Sequence, residues 1–562
     1  MTFEIDLADI QGNILAPYGK QGFPTGRNIL LRIGERGAPG DTRSQGERGR
    51  HFLSELLPYV TTALPWRGSK KIRGSSAEAQ VDRPKVALNI AFNFPGLLAL
   101  EVPTRTLRGL PDVFIDGMAK RARILGDDFN GQQERWDAAW KGSGFDHDRF
   151  ADPKLPHILI TLNVLKGEES ELDPLTKTIE DLARENGGIV VTGHDRSGDA
   201  RYQELSALRG PDGRYVQTEH FGFFDGIGDP VFEGQYEFED DTLGPIGNGA
   251  MDGDGNWRPL KAGEFLLGYP DEAQETSGIY MPLSFARNGT FLAYRKIYQN
   301  VPAWRDFIDR TAVDFGKVFK VDDLDDAKEL LKAKMAGRWS DGIPLSIAPT
   351  PAEWHAKQKE LFPQAGDDDA TKKAKIAKTA RAFVDFRYLD DPSGVKCPMG
   401  SHLRRVNTRD SLDPDAPFYE TLKAIDPKTA PPLKGSVLNN RRRILRRGLP
   451  YGQGSEDCGI VMLVMCADLF RQFEFVQQQW INYGLDARAG NDVCPIVGNH
   501  LKGDEGQGPA SKFVIPAPEG AGHPPFIVDG IPQFVEVRGG DYFFVPSLTA
   551  LRMIGMGTID PT

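Results

Sequence analysis

Residues 157–192 read HILITLNVLKGEESELDPLTKTIEDLARENGGIVVT, and the fold is decided there. His157 to Val164 is an apolar run of strand length. Asp173-Pro174 opens a helix, because proline in the first helical turn gives up no internal hydrogen bond. That helix carries Leu182 and Ala183 and closes near Gly187-Gly188, and Gly188 to Thr192 (GIVVT) forms the next strand. The same order precedes it. Asn28 to Ile33 (NILLRI) reads as a strand. A helix with Phe52, Leu53, Leu56, Leu57 and Val60 on one face follows, and then Val86 to Phe94 alternates like a half-buried strand. Residues 104–119 add a helical stretch broken at Pro111. Strand–helix–strand taken twice is the ferredoxin-like α+β pattern, with one extra helix between its central strands. His157, inside a strand, reads as structural.

At 562 residues the chain is too long for one such unit. The second half repeats the logic, with a strand over Gly289 to Tyr298, a helix over Val301 to Ile308 and a buried strand over Gly459 to Met465. A helix over Leu469 to Trp480 follows, then a closing hairpin over Phe534 to Val545 kinked at Gly539-Gly540, and a terminal helix over Ser547 to Ile554. The expectation is two α+β halves, each with its own sheet. They span 1–200 and 263–562, joined by a Gly- and Asp-rich connection over 201–262. A Lys- and Asp-rich helical insertion occupies 312–385; its charge runs read as solvated faces, and His355 on one of them as a surface residue.

Charge and composition exclude several classes. A net charge of -11 argues against binding nucleic acid or an anionic membrane surface. No apolar run is long enough to span a bilayer. Four cysteines without CxxC spacing support neither a disulfide scaffold nor a zinc site. MTFEIDLADIQGN lacks the features of a signal peptide or a twin-arginine signal, so a cytoplasmic address is expected.

Three windows carry chemistry. In CPMGSHLRRVNTRD (397–410), His402 stands beside Arg404 and Arg405, with Arg409 further on. Clustered guanidinium groups would repel a divalent ion, but they suit an anionic prosthetic group: haem offers iron to an imidazole and propionates to arginines. A satisfied interior histidine on a basic loop is the plainer alternative. In GFFDGIGDP (222–230), glycines and phenylalanines surround Asp225, an arrangement that tunes an acid–base group. A simple turn aspartate is the competing reading, and His220 is an alternative base. In NRRRILRRGLPYG (440–452), the Ile-Leu pair would anchor a strand and aim Arg446 inward. Overall acidity and the lack of interleaved aromatics count against a nucleic-acid patch here.

Taken in order, these windows closely resemble the dye-decolorizing peroxidases. So do DIQGNIL (9–15), the AGRW…GIPLSIAP run, ADLFRQFEFVQQQW (467–480) and GGDYFFVPS (539–547), so the resemblance covers nearly the whole chain. It implies two ferredoxin-like domains with haem b (iron protoporphyrin IX) between them, held mainly against the C-terminal one. By motif, His402 is the axial iron ligand, Asp225 the distal acid–base residue and Arg446 the distal arginine, with Arg443 and Arg447 as neighbouring choices. Arg409 is a candidate for a propionate. The long spacing from His402 to Arg446 and the insertion suggest one of the larger subgroups. The implied activity is reduction of hydrogen peroxide through an oxoferryl intermediate, with one-electron oxidation of dyes, phenols and other organic donors. Bulky donors would need a surface relay, for which Tyr451, Tyr483 and Trp480 are candidates. A haem sensor or carrier with a Cys397 thiolate ligand, or a haem-handling protein without turnover, are the alternatives, and an oligomer is compatible with either reading.

Overall fold

The computed structural model describes residues 5–559 except 38–39, 68–70, 73–79, 128–131, 142–148, 151, 153, 196, 236, 239–243, 253–254, 277–281, 416–417, 419–420, 422–423, 426–434, 455 and 502–511. The first half contributes β1 (Thr25–Ile33), α1 (Gln45–Leu56), β2 (Val86–Phe92), β3 (Ile158–Val164), α2 (Leu172–Asn186), β4 (Ile189–Val191) and β5 (Gln203–Ser206). The second half contributes β6 (Thr290–Gln299), α3 (Val301–Phe319), α4 (Leu324–Ala336), α5 (Pro351–Leu361), α6 (Asp369–Val384) and α7 (His402–Val406). After these come β7 (Leu445–Arg446), β8 (Leu449–Tyr451), β9 (Gly459–Cys466), β10 (Val535–Val545) and α8 (Leu548–Met556). No helix among the described residues is long and apolar enough to cross a membrane.

These strands run in the order β7-β9-β6-β10-β2-β3-β1-β4, with β8 beside β9 and β5 beside β1. Within each half the order is second, third, first, fourth strand, the arrangement that two strand–helix–strand units produce when they interleave. The two sheets are not separate, as the sequence reading had them. Strand β10 pairs antiparallel with β2, Phe544 opposite Phe92, and the halves become one ten-stranded sheet among the described residues. Two exposed strand edges are removed by that join. Gln11, from the DIQGNIL window, seals it: fully buried, its amide donates to the carbonyls of Ile90 and Pro546 and accepts from Ile90 N. A side-chain carbon on Gly12 would lie 2.7 Å from the Thr62 carbonyl, so the chain can pass there only as glycine.

Strand β2 is buried on both faces rather than one. One face meets Phe52, Leu56 and Phe114; the other lies under the N-terminal segment carrying Ile10 and Ile14. The expected hairpin at 534–545 is a single strand. Its Gly539-Gly540 pair makes a β-bulge opposite Lys296/Ile297, with Gly539 at φ 126°, because glycine kinks a strand as readily as it turns one. The helix from Val301 runs to Phe319 instead of stopping near Ile308, since Ala312, Phe315 and Gly316 continue the buried stripe. Nor are all the charge runs solvated. Lys334 is buried, and its ammonium donates to the carbonyls of Val395 (2.9 Å) and Lys396 (2.6 Å), with burial lowering its pKa to about 8. That lysine fixes the approach to Cys397.

Candidate functional site

A cavity of about 370 Å³ lies against one face of the second half's sheet. Alternation along β6 decides which side chains enter it. Arg295, Ile297 and Gln299 line the cavity, while Tyr294 and Lys296 project to the other face. Ile460 and Met462 of β9, Val535 and Val537 of β10, and Phe473, Val476 and Ile481 complete an apolar floor. Those last three come from two π-helical segments, Leu469–Glu474 and Val476–Ile481, where the sequence predicted an ordinary helix.

His402, Leu403 and Val406 reach the cavity from α7. His402 Nδ1 lies 3.3 Å from the sulfur of Cys494, so Nε2 is the nitrogen left for the cavity. Arg404 and Arg405 do not face the site. Arg404 pairs with Asp391 at 2.8 Å and holds the Cys397 carbonyl. Cys397 is buried, with its N–H on Asp391 Oδ2, and its thiol is pushed up by burial. It does not line the cavity, so its sulfur is not placed as a ligand there.

Asp225 sits at the end of a tight loop. Thr218 bridges Phe224, and the Glu219 carboxylate accepts the N–H groups of Phe221 and Phe223, both at 2.9 Å. Gly222, Gly226 and Gly228 all have positive φ, which explains the glycine spacing around the aspartate. Asp225 and Arg446 line the main cavity together, and both also border a smaller one of about 160 Å³ that includes Lys20. Arg446 Nη2 donates to the Ile227 carbonyl at 2.8 Å, which ties it to the Asp225 loop. Its neighbours are engaged differently. Arg447 pairs with Asp229 and binds the carbonyls of Asn13 and Ile14; Arg443 is buried, bonded to the carbonyls of Gly249 and Asn248. His220 Nε2 donates to the Tyr451 carbonyl at 2.9 Å, and the residue does not line the cavity.

Arg338 escaped the sequence reading, and Arg443 entered it only as a neighbouring choice to Arg446. Arg338, from the insertion, and Arg443 both line the cavity; burial, with Arg409 nearby, lowers each to about 9. The AGRW window contained Arg338, but nothing in it said that the side chain faces inward. Arg409, expected to meet a propionate, is not itself in the lining. It stacks over Phe386 at 4.1 Å and donates to the Gly247 carbonyl, while its Nε and one terminal nitrogen have no partner. Of the surface relay candidates, Tyr451 and Trp480 are buried, because one lies on β8 against the sheet and the other on the π-helical floor. Tyr483 alone of the three is substantially exposed, at 41%.

Comparison with known proteins fits this geometry. No protein-family model matches the chain. It is 27% identical over 534 residues to a dye-decolorizing peroxidase of Mycena epipterygia, covering 90% of this chain and 80% of that protein. It is 26% identical over 527 residues to Peroxidase 2 of Mycetinis scorodonius, covering 89% and 80%. Over most of its length the chain is similar to dye-decolorizing peroxidases. Solved structures share its fold: an ancestral D-type dye-decolorizing peroxidase at TM-score 0.66 and 24% identity, covering 98% of this chain and 99% of that one. The Auricularia auricula-judae dye-decolorizing peroxidase complexed with imidazole gives 0.64 and 22%, covering 98% and 100%.

The residues present fit haem on their own chemistry. Arg409 and Arg443 are buried and Arg338 is partly buried, Arg409 acts on both of the others, none of the three has a carboxylate salt bridge among the described residues, and Arg409 keeps donors without a partner there. Such a cluster needs anions, which propionates supply. Among the described residues no three His, Cys, Asp or Glu side chains converge on a metal ion. A single imidazole at an apolar cavity is instead the donor set of a porphyrin iron.

Proposed function

We propose that this protein is a haem peroxidase that reduces hydrogen peroxide and oxidises dyes, phenols and other organic donors. The observation that carries this reading is one apolar cavity holding the free nitrogen of His402, the Asp225–Arg446 pair and the buried arginines. His402 Nε2 would ligate the iron of haem b, with Arg338 and Arg443 in the wall and Arg409 behind them balancing the propionates. Bound haem supplies the iron centre at which peroxide is reduced and the oxidising equivalents that donors later quench.

The protein's own part is proton transfer and charge stabilisation. The Asp225 carboxylate takes the proton from one peroxide oxygen and returns it to the other, so that water can leave as the O–O bond breaks. The Arg446 guanidinium, held by the Ile227 carbonyl, stabilises negative charge on the departing oxygen. Phe223, Phe224, Ile227 and Phe473 give the cavity an apolar wall beside the reacting atoms. Bulky donors that cannot enter the cavity would react at the surface, where Tyr483 is the exposed one of the three relay candidates.

An absorption spectrum of the haem-loaded protein, before and after one equivalent of hydrogen peroxide, tests the reading. The Soret band should shift on adding peroxide and return when a phenol is added. A haem-loaded protein whose band ignores peroxide would overturn it.

A further inference from the structure

We propose that Cys494 is a positioning residue for the iron ligand: its sulfur accepts a hydrogen bond from His402 Nδ1–H, fixing the imidazole and tuning its donor strength. This deepens the haem reading and rests on it.

The contact is short and the cysteine is not free to drift. Cys494 is fully buried, and its sulfur stands 3.3 Å from His402 Nδ1. Its N–H donates to the Ile481 carbonyl at 2.7 Å. Its carbonyl accepts from Gly498 N at 3.0 Å and meets His500 Nε2 at 3.1 Å. The cysteine is thereby locked between the π-helical floor of the cavity and the loop that follows it.

Arg405 ties that loop to the histidine's own helix. One turn after His402 and fully buried, it gives Nε to the Gly400 carbonyl at 2.8 Å. Nη1 goes to Trp480 (3.1 Å) and Tyr483 (3.2 Å). Nη2 goes to Asp492 (2.8 Å) and Val493 (3.3 Å), the two residues before Cys494. A planar guanidinium with every N–H engaged is a rigid spacer. It sets the distance between α7 and residues 492–494, and so the distance from imidazole to sulfur.

An acceptor on the non-ligating nitrogen of a metal-bound histidine fixes its tautomer and ring orientation and raises its basicity. With Nδ1 directed at sulfur, Nε2 carries the lone pair toward the cavity. A more basic imidazole favours the higher oxidation state of the metal it binds. Removing the acceptor should therefore weaken the iron–histidine bond and raise the reduction potential, and a stronger acceptor should do the reverse.

The test is a pair of variants, Cys494→Ala and Cys494→Asp, loaded with haem and read by resonance Raman and redox titration rather than by turnover. In Cys494→Ala the iron–histidine stretch of the ferrous form should move to lower frequency and the potential should rise. In Cys494→Asp both should move the opposite way. If only one variant binds haem, its sign decides alone. No shift, or a shift of the wrong sign, overturns the proposal while wild-type haem binding and peroxide reduction stay intact. If His402 is not the ligand, wild type itself shows no iron–histidine stretch, and it is the haem reading that fails.

Discussion

His402 and Cys397 stand five residues apart in one motif, and only their surroundings separate them. The imidazole lines the cavity, whereas the thiol is packed behind it with its backbone held by Asp391. His402→Ala should therefore purify with little haem, while Cys397→Ala keeps both haem and peroxide reduction. The absorbance ratio of haem to protein measures this, and haem lost only from the cysteine variant would reverse the assignment. The second residue-scale prediction concerns Asp225 and Arg446, which on the proposed reading act on the same peroxide by different physics. A positioned proton carrier contributes roughly 10²–10⁴-fold, and water can replace part of that. A guanidinium fixed opposite the departing oxygen has no such substitute. Arg446→Leu should accordingly slow the stopped-flow reaction with peroxide more than Asp225→Asn, with haem retained in both. The opposite order would make the aspartate the main source of stabilisation. Motif reading could place these side chains because their chemistry is local. It could not see Arg338 or Cys494, whose importance lies in where the chain brings them.

At the scale of elements, the strands and helices of the first half were legible because each shows its period over a whole segment. Two misreadings share a cause. The Gly539-Gly540 pair and the charge run around Lys334 were judged by local composition, but the partner strand and a neighbouring loop decide their conformation. The loop that presents Asp225 makes the same point in a testable form. Gly226 has φ 88°, and a residue with a side chain forced into that region costs about 1–3 kcal/mol. A side-chain carbon there would also press on the Lys20 methylenes, at 2.7 Å. Gly226→Ala should leave haem content unchanged, because His402 sits on a different element, yet slow the reaction with peroxide by displacing the carboxylate. A rate equal to wild type would show that the loop does not set the position of Asp225.

The whole molecule is joined by contacts that no local pattern announces: the DIQGNIL window matters because Gln11 meets Ile90 and Pro546 across the seam. Scale also governs its response to acid. His157, His194 and His500 are buried. Burial lowers all three, with a further push from Arg32 on His157, Lys296 on His194 and Arg405 on His500, to about 3, 3 and 4. Unfolded, each binds a proton near pH 6.5. The folded values are depressed, so the unfolded chain takes up more protons as pH falls, and stability present above pH 6.5 is lost below it. Each histidine then costs about 1.4 kcal/mol per pH unit. Asp137 acts the other way. Burial raises it to about 6 despite Lys296, so between pH 6 and its unfolded value near 3.8 it offsets about one histidine. Taken by themselves, these four groups make stability fall from pH 6.5 toward 4.5, with a slope that grows to about two protons as the unfolded histidines become fully protonated. His194 offers the cleanest check, since neither ring nitrogen has a partner among the described residues. His194→Phe should flatten that slope by about one proton, read from urea midpoints at successive pH values. An unchanged slope would mean that the histidines stay neutral in both states and that acid sensitivity arises elsewhere.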